Sequence, residues 1–203
     1  EEAKKGAVKA LIKLRDEGVV RAIGCGMNQN EMLIEFAKEG CFDCFLLAGR
    51  YTLIDQTSLE HLIPICEHNN ISLVLGGVFN SGILIDPSPD TYFDYSKLDR
   101  DWAKNLSESL VRQPKDHENA EYWLQKAYKL KKACEEFSVK LKQAAIQFPY
   151  GNPIVSCCLL GMTSPVQVND NIDSYNRKIS FEFWEYLKKH NLINKEAPLV
   201  NND

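Results

Sequence analysis

No run of apolar residues in this 203-residue chain is long enough to cross a bilayer, which argues against a helical membrane span. The first residues, Glu1-Glu2-Ala3-Lys4-Lys5, offer no apolar signal-peptide core. They also lack an initiator Met, so the sequence reads as a processed or excised piece of a cytoplasmic protein. Positive charge is not in excess: 24 Lys and Arg stand against 28 Asp and Glu, a net charge of −4. Without a basic block, nucleic acid is a poor candidate partner. Apolar residues make up 44% and charged residues 26%, the balance of a soluble globular domain or a large piece of one.

A metal site is missing its second half. Cys41-Phe42-Asp43-Cys44 has the C-x-x-C spacing, but no second ligand pair stands near it at a recognised spacing. The seven cysteines, Cys25, Cys41, Cys44, Cys66, Cys134, Cys157 and Cys158, fall mostly in apolar runs. They read as reduced thiols used as small hydrophobes, with Cys41–Cys44 the start of a strand and no metal expected. The four histidines, His61, His68, His117 and His190, sit on expected helices or in a polar stretch, so none is offered as a catalytic base.

What the sequence does have is alternation. Ala7, Val8, Leu11, Ile12 and Leu14 share one helical face, and Gly18 stops that helix. Strands are expected near 20–25, 43–48, 71–75 and 154–160. The run from Phe42 to Ala48 is apolar except for Asp43, as in a strand buried on both faces. Between the strands come a helix carrying Met32, Leu33, Phe36 and Ala37 with Asn30 as its cap, and another marked by Leu59, Leu62, Ile63 and Cys66. A long polar stretch at about 86–119 reads as an insertion. Helices over 120–137 and 141–148 follow, and Phe181, Phe183, Trp184 and Leu187 mark the last one. Strand–helix alternation implies parallel strands in sequential order, either a small open sheet or part of an eight-stranded barrel.

In both architectures ligands sit beyond the carboxyl ends of the strands. Four turns therefore matter: 24–29, 48–55, 76–82 and 161–164. Gly24-Cys25-Gly26-Met27-Asn28-Gln29 fails the dinucleotide fingerprint, because Gln29 stands where the third Gly is needed. Gly161-Met162-Thr163-Ser164-Pro165 joins a Gly, two hydroxyls and a helix start with Ser as N-cap. It fits an anion site at a helix N-terminus and equally a plain helix start. Arg50 and Tyr51 follow the second strand, where they could face a substrate; packing of Tyr51 at a rim is the competing reading.

Three stretches carry a resemblance. Ala22 to Gln29, Phe45-Leu46-Leu47-Ala48-Gly49-Arg50-Tyr51-Thr52-Leu53-Ile54-Asp55-Gln56, and Gly76-Gly77-Val78-Phe79-Asn80-Ser81-Gly82-Ile83-Leu84 resemble the aldo-keto reductases. The second stretch is similar to the aldose 1-dehydrogenase, L-fucose dehydrogenase and pyridoxal 4-dehydrogenase branch, and Gly161 to Ile172 is similar to the family's last cofactor loop and helix. The resemblance implies an α/β fold, the C-terminal half (strands five to eight) of a (β/α)8 TIM barrel. Residues 1–203 would form a partial domain with the insertion at about 86–119. A whole barrel takes about 250 residues.

The family's acid–base Asp, Tyr, Lys and His come from the other half. No residue here matches them, and no catalytic residue is assigned. The resemblance gives cofactor roles instead. Asn28 would hold the nicotinamide carboxamide, while the usual Gln beside it is Ala48 and the usual stacking aromatic is Gly76. Gly77 to Ser81 would follow the pyrophosphate, with Phe79 able to cover the cofactor. Gly161, Met162 and Thr163 would hold the adenosine ribose, and Gln167 and Asn171 the adenine. Gly161 and Gln167 stand where NADP-specific relatives often have Lys and Arg, so the implied cofactor is NAD or NADP with a lean toward NAD. The full-length parent would oxidise an aldose at C1 to a lactone, or interconvert an aldehyde and an alcohol, with a small sugar or aldehyde as substrate. The chain alone would be inactive and able to self-associate through open barrel edges. The alternative is an inactive truncated cofactor-binding or interaction module.

Overall fold

The computed structural model describes residue 3 and residues 6–88 and 120–201, so most of the stretch expected as an insertion at 86–119, with His117, lies outside the described residues. The elements follow in the expected alternation: α1 (Ala7–Asp16), β1 (Gly24–Met27), α2 (Asn30–Ala37), β2 (Cys44–Ala48), α3 (Leu62–His68) and β3 (Ser72–Gly76). A 3-10 turn at Asn80–Gly82 comes next, then α4 (Ala120–Glu136), α5 (Leu141–Gln147), a 3-10 turn at Phe148–Gly151, β4 (Val155–Cys158), α6 (Pro165–Asn176) and α7 (Phe181–Lys189). All pairings are parallel, and the strands lie in the order β1-β2-β3-β4.

Strand periodicity explains where the core lies. Phe45 and Leu47 of β2 and Leu73 and Leu75 of β3 are buried. They join one cluster with Leu33 and Ala37 of α2, Leu62 and Cys66 of α3, and Phe183 and Trp184 of α7. Each such side chain contributes about 1.5–3 kcal/mol by leaving water. The alternate residues Cys44, Leu46, Ala48, Ser72 and Val74 stay only half-buried. The expectation that β2 is buried on both faces is therefore corrected: the helices cover one face, and the other keeps an apolar surface partly open.

Two strands are displaced from their expected bounds, each for a local reason. β1 starts at Gly24 rather than residue 20, because Gly18 turns the chain at φ +73 and Val19 stays 67% exposed. Ile23 then gives its N–H to the Asp43 carboxylate at 2.7 Å, and Arg15 reaches the same carboxylate at 2.7 Å. Asp43 thus ties α1, β1 and the start of β2 together, and Cys41–Cys44 leads into a strand. β4 is shorter than 154–160 because it bulges: Leu73 faces Val155 while Val74 faces Cys157, and the extra Ser156 donates its hydroxyl to the Leu73 carbonyl at 3.0 Å. Asn30 is not the cap of α2 but its first residue. Gln29 occupies the cap position, and Asn30 Oδ1 accepts the Ser58 hydroxyl at 2.9 Å.

Candidate functional site

Because the four strands run parallel, the turns that follow them share one edge of the sheet. On the open face, Leu46 stands between Gly26 and Val74, and two residues further on Ala48 pairs with Gly76. Continuing β1 by the same step sets Asn28 beside Ala48. A Cβ added at Gly76 would lie 3.5 Å from Leu46 Cδ2 and 3.8 Å from the Ala48 Cβ. The row Asn28–Ala48–Gly76 is therefore a floor of minimal side chains with one exposed carboxamide at its end. A flat ring carrying an amide fits such a floor.

The turn after β3 is built from left-handed backbone. Gly77 has φ +64, and Asn80, Ser81 and Gly82 follow at φ +46, +57 and +102. Left-handed conformations cost non-glycine residues free energy and cluster where a turn is held for function. A Cβ at Gly77 would come within 3.3 Å of the Gly49 nitrogen. Two glycines are thus needed where the β2 and β3 turns cross. The Asn80 amide donates to the Gly49 carbonyl at 3.4 Å and fastens the crossing. The N–H groups of Phe79 and Ser81 find no acceptor among the described residues. Free N–H groups in a left-handed turn form an anion-binding concavity.

The turn after β4 ends in a helix start. Ser164 caps α6 by accepting the Gln167 N–H at 3.3 Å, and Pro165 takes the first helical position. Gln167 folds back, its carbonyl accepting the Thr163 N–H at 2.7 Å. Gly161 and Met162 are exposed, and a Cβ at Gly161 would meet nothing within 4 Å. Asn171 is only 6% exposed. The carboxamide of Asn28, the free N–H groups of the β3 turn, and the hydroxyls and helix dipole at the start of α6 together suit a dinucleotide.

Other expected site residues lie elsewhere. Arg50 is 7% exposed and Tyr51 fully buried, so neither presents a surface to a substrate in this chain. Arg50 stands 3.9 Å from the buried Asp55 carboxylate, and Tyr51 packs on Phe148 with ring centroids 5.5 Å apart. Burial pushes the Tyr51 hydroxyl's pKa up, with the Asn152 side chain pulling the other way. Packing is therefore the reading the geometry favours for Tyr51. Two of the thiols near this edge are poor nucleophiles at neutral pH. Burial raises Cys25 and Cys158 to about 11 each, with Cys44 adding to the effect at Cys25.

One residue at this edge had no signal in the sequence. Lys142, on α5, hydrogen-bonds the Asp170 carboxylate of α6 and lies 6.0 Å from the centroid of the Phe79 ring. Its contacts are 28 and more residues away along the chain, beyond the reach of any local pattern.

Comparison with known proteins agrees with this architecture. A sequence model of the aldo/keto reductase family matches residues 4–192, and the chain belongs to that family. Pyridoxal 4-dehydrogenase of Microbacterium luteolum is 34% identical over 189 residues, covering 93% of this chain and 49% of that protein. D-threo-aldose 1-dehydrogenase of a Pseudomonas species is 32% identical over 189 residues, covering 92% and 51%. The chain thus spans about half the length of these relatives. Among solved structures, the holo form of an aldo-keto reductase from Bacillus halodurans superposes with a TM-score of 0.65 at 18% identity, over 96% of this chain and 57% of that one. A glycerol dehydrogenase from Gluconobacter oxydans gives 0.63 at 19%, over 97% and 56%. At these identities the superpositions establish the fold.

Proposed function

We propose that the chain is the cofactor-holding half of an aldo-keto reductase, strands five to eight of its (β/α)8 barrel. The full-length enzyme would move hydride between a nicotinamide cofactor and C1 of an aldose, giving a lactone, or an aldehyde carbon. The observation that carries this reading is the row Asn28–Ala48–Gly76 at the carboxyl ends of the strands, which leaves room for a flat ring beside one carboxamide.

Asn28 holds the nicotinamide carboxamide. Gly77, Phe79 and Ser81 follow the diphosphate, whose charge the free N–H groups balance. Gly161, Met162 and Thr163 border the ribose, and Gln167 and Asn171 meet the adenine. The cofactor, when bound, supplies hydride acceptance or donation. A proton must leave or join the substrate oxygen as hydride moves, and that work needs an acid–base group. The residues that match the family's four acid–base positions are not in this sequence, so Arg50, Tyr51 and their neighbours serve to shape the turn after β2. NAD is used at least as well as NADP, because no cation stands between Gly161 and Asn171.

The test has two arms on the purified chain. Titration with NADH, followed by tryptophan fluorescence, should show saturable binding that Asn28→Ala and Ser81→Pro weaken. Assays with L-fucose and other aldoses should show no cofactor-linked turnover. Absence of saturable binding by a folded chain refutes the cofactor reading, and turnover refutes the assignment of acid–base chemistry to the other half.

A further inference from the structure

A cavity of about 430 Å³ opens where the segment after β2 meets the first turns of α4 and the segment after α7. None of the residues given a cofactor role above lines it. Its volume is that of a small-molecule site. Ile54, Trp123 and Ile193 give it buried apolar walls. Tyr122 forms an exposed wall, its ring 5.4 Å from that of Trp123 and inclined at 79°. The acceptors of the cavity are spent inside the fold or turned to water. Asp55 Oδ1 accepts the Thr57 N–H at 3.0 Å and its hydroxyl at 2.8 Å. Gln56 Oε1 accepts the Asn194 N–H at 3.1 Å, and Asn194 Oδ1 accepts the Glu196 N–H at 2.9 Å. The Glu60 carboxylate is 82% exposed and stands 3.7 Å from His61 Nε2. The donors are not spent. The half-buried Lys126 gives one N–H to the Ile54 carbonyl at 2.7 Å, and its ammonium stands 5.8 Å from the Trp123 ring centroid. An ammonium has three donors, and the other two find no acceptor among the described residues. Burial lowers the Lys126 pKa, with Asp55 acting the other way, and an anion beside the ammonium would offset that loss of water.

We propose that this cavity binds a small aromatic carboxylate, its anionic oxygens on Lys126 and its ring against Trp123 and Tyr122. Spare donors beside spent acceptors select an anion. The apolar walls select one with an organic body, and two rings set edge to face form a corner that a third flat ring can enter. A single charge suits the site better than the two of a phosphate, because the buried Asp55 carboxylate also lines the cavity. The site stands independently of the cofactor reading, since it shares no residue with the row Asn28–Ala48–Gly76 or the turns around it.

The test titrates benzoate into the 203-residue chain by isothermal titration calorimetry, with circular dichroism to confirm folding. Benzyl alcohol keeps the ring without the charge, and inorganic phosphate keeps charge without the ring. Benzoate should bind saturably, and each of the other two should bind at least about tenfold more weakly. Lys126→Met should weaken benzoate by about tenfold, the size of one charge-assisted bond. Tyr122→Ala leaves the Lys126 tie to Ile54 in place and should weaken benzoate by about threefold, which decides the matter if Lys126→Met does not fold. Saturating ADP-ribose should leave benzoate binding unchanged. A folded wild type that does not bind benzoate, equal binding of benzyl alcohol or phosphate, unchanged affinity in the folded variants, or displacement by ADP-ribose overturns the proposal.

Discussion

Replacing Asp43 by Asn isolates the charge that locks the first helix to the sheet. The carboxylate accepts the Ile23 N–H and an Arg15 N–H, each at 2.7 Å. Asn can still accept from Ile23 through its carbonyl, so the loss is the charge assistance and the ion pair. A hydrogen bond to a charged group contributes about 1.5–3 kcal/mol when sheltered. The Asp43 side chain is 41% exposed and that of Arg15 27%, so water screens much of it. The discounted cost is about 1 kcal/mol. For a chain of this length that is about 2–4 °C in Tm.

The pH dependence fixes the sign. The Ile23 N–H and Arg15 hold the Asp43 carboxyl below its ordinary value. A depressed folded pKa gives stability that is complete above the unfolded value, near about 3.9, and is lost as pH falls through the folded value. Wild type should therefore melt above Asp43→Asn at neutral pH, and the gap should close in acid. Arg15→Met should show the same trend, and the double variant should lose less than the two singles together. Thermal melts followed by circular dichroism across that range provide the measurement. A gap that persists undiminished in acid, or fully additive singles, would refute the assignment of the lock to this ion pair.

Gly77→Ala should cost about 1–2 kcal/mol in urea melts, since a Cβ there meets left-handed strain and the Gly49 nitrogen at 3.3 Å. An unchanged midpoint would mean the crossing of the two turns relaxes freely. The half-buried Leu46 and Val74 on the open sheet face should make the chain self-associate at micromolar concentration, and Leu46→Lys should reduce this in sedimentation velocity. A monodisperse wild-type monomer with a cooperative melt contradicts that expectation. Gln167→Arg should shift binding toward NADP while destabilising the chain by about 0.5–1 kcal/mol, because the Gln167 carbonyl also holds the Thr163 N–H. Calorimetry with both cofactors checks the first effect and a urea melt the second.

The parallel order of the strands was legible because it rests on local signals. Gly18, Gly40 and the buried runs mark where helices stop and strands begin, and neighbouring β-α units pack in sequence. The strand ends were less legible, because ladder contacts decide them. Val19 and Val20 have strong strand propensity, yet they precede the Asp43 lock and stay outside the sheet. Burial on one face or both could not be read from the apolar run Phe42–Ala48 either. Periodicity says which residues share a face, but not whether anything covers it.

The same division between local and distant holds at the site. The Ser164 cap, Pro165 and the glycine turns are short-range chemistry, and the sequence displays them directly. Arg50 and Tyr51 also stand at a strand end, so position alone could not separate them from ligand-facing residues. Their burial comes from Asp55 and Phe148, one close in sequence and the other far away. Lys142 is the inverse case, a helix residue with no motif that reaches the strand-end turns only through folding. Counting cations along the segment from Gly161 to Asn171 gives none, yet in space Lys142 reaches that segment by pairing with Asp170.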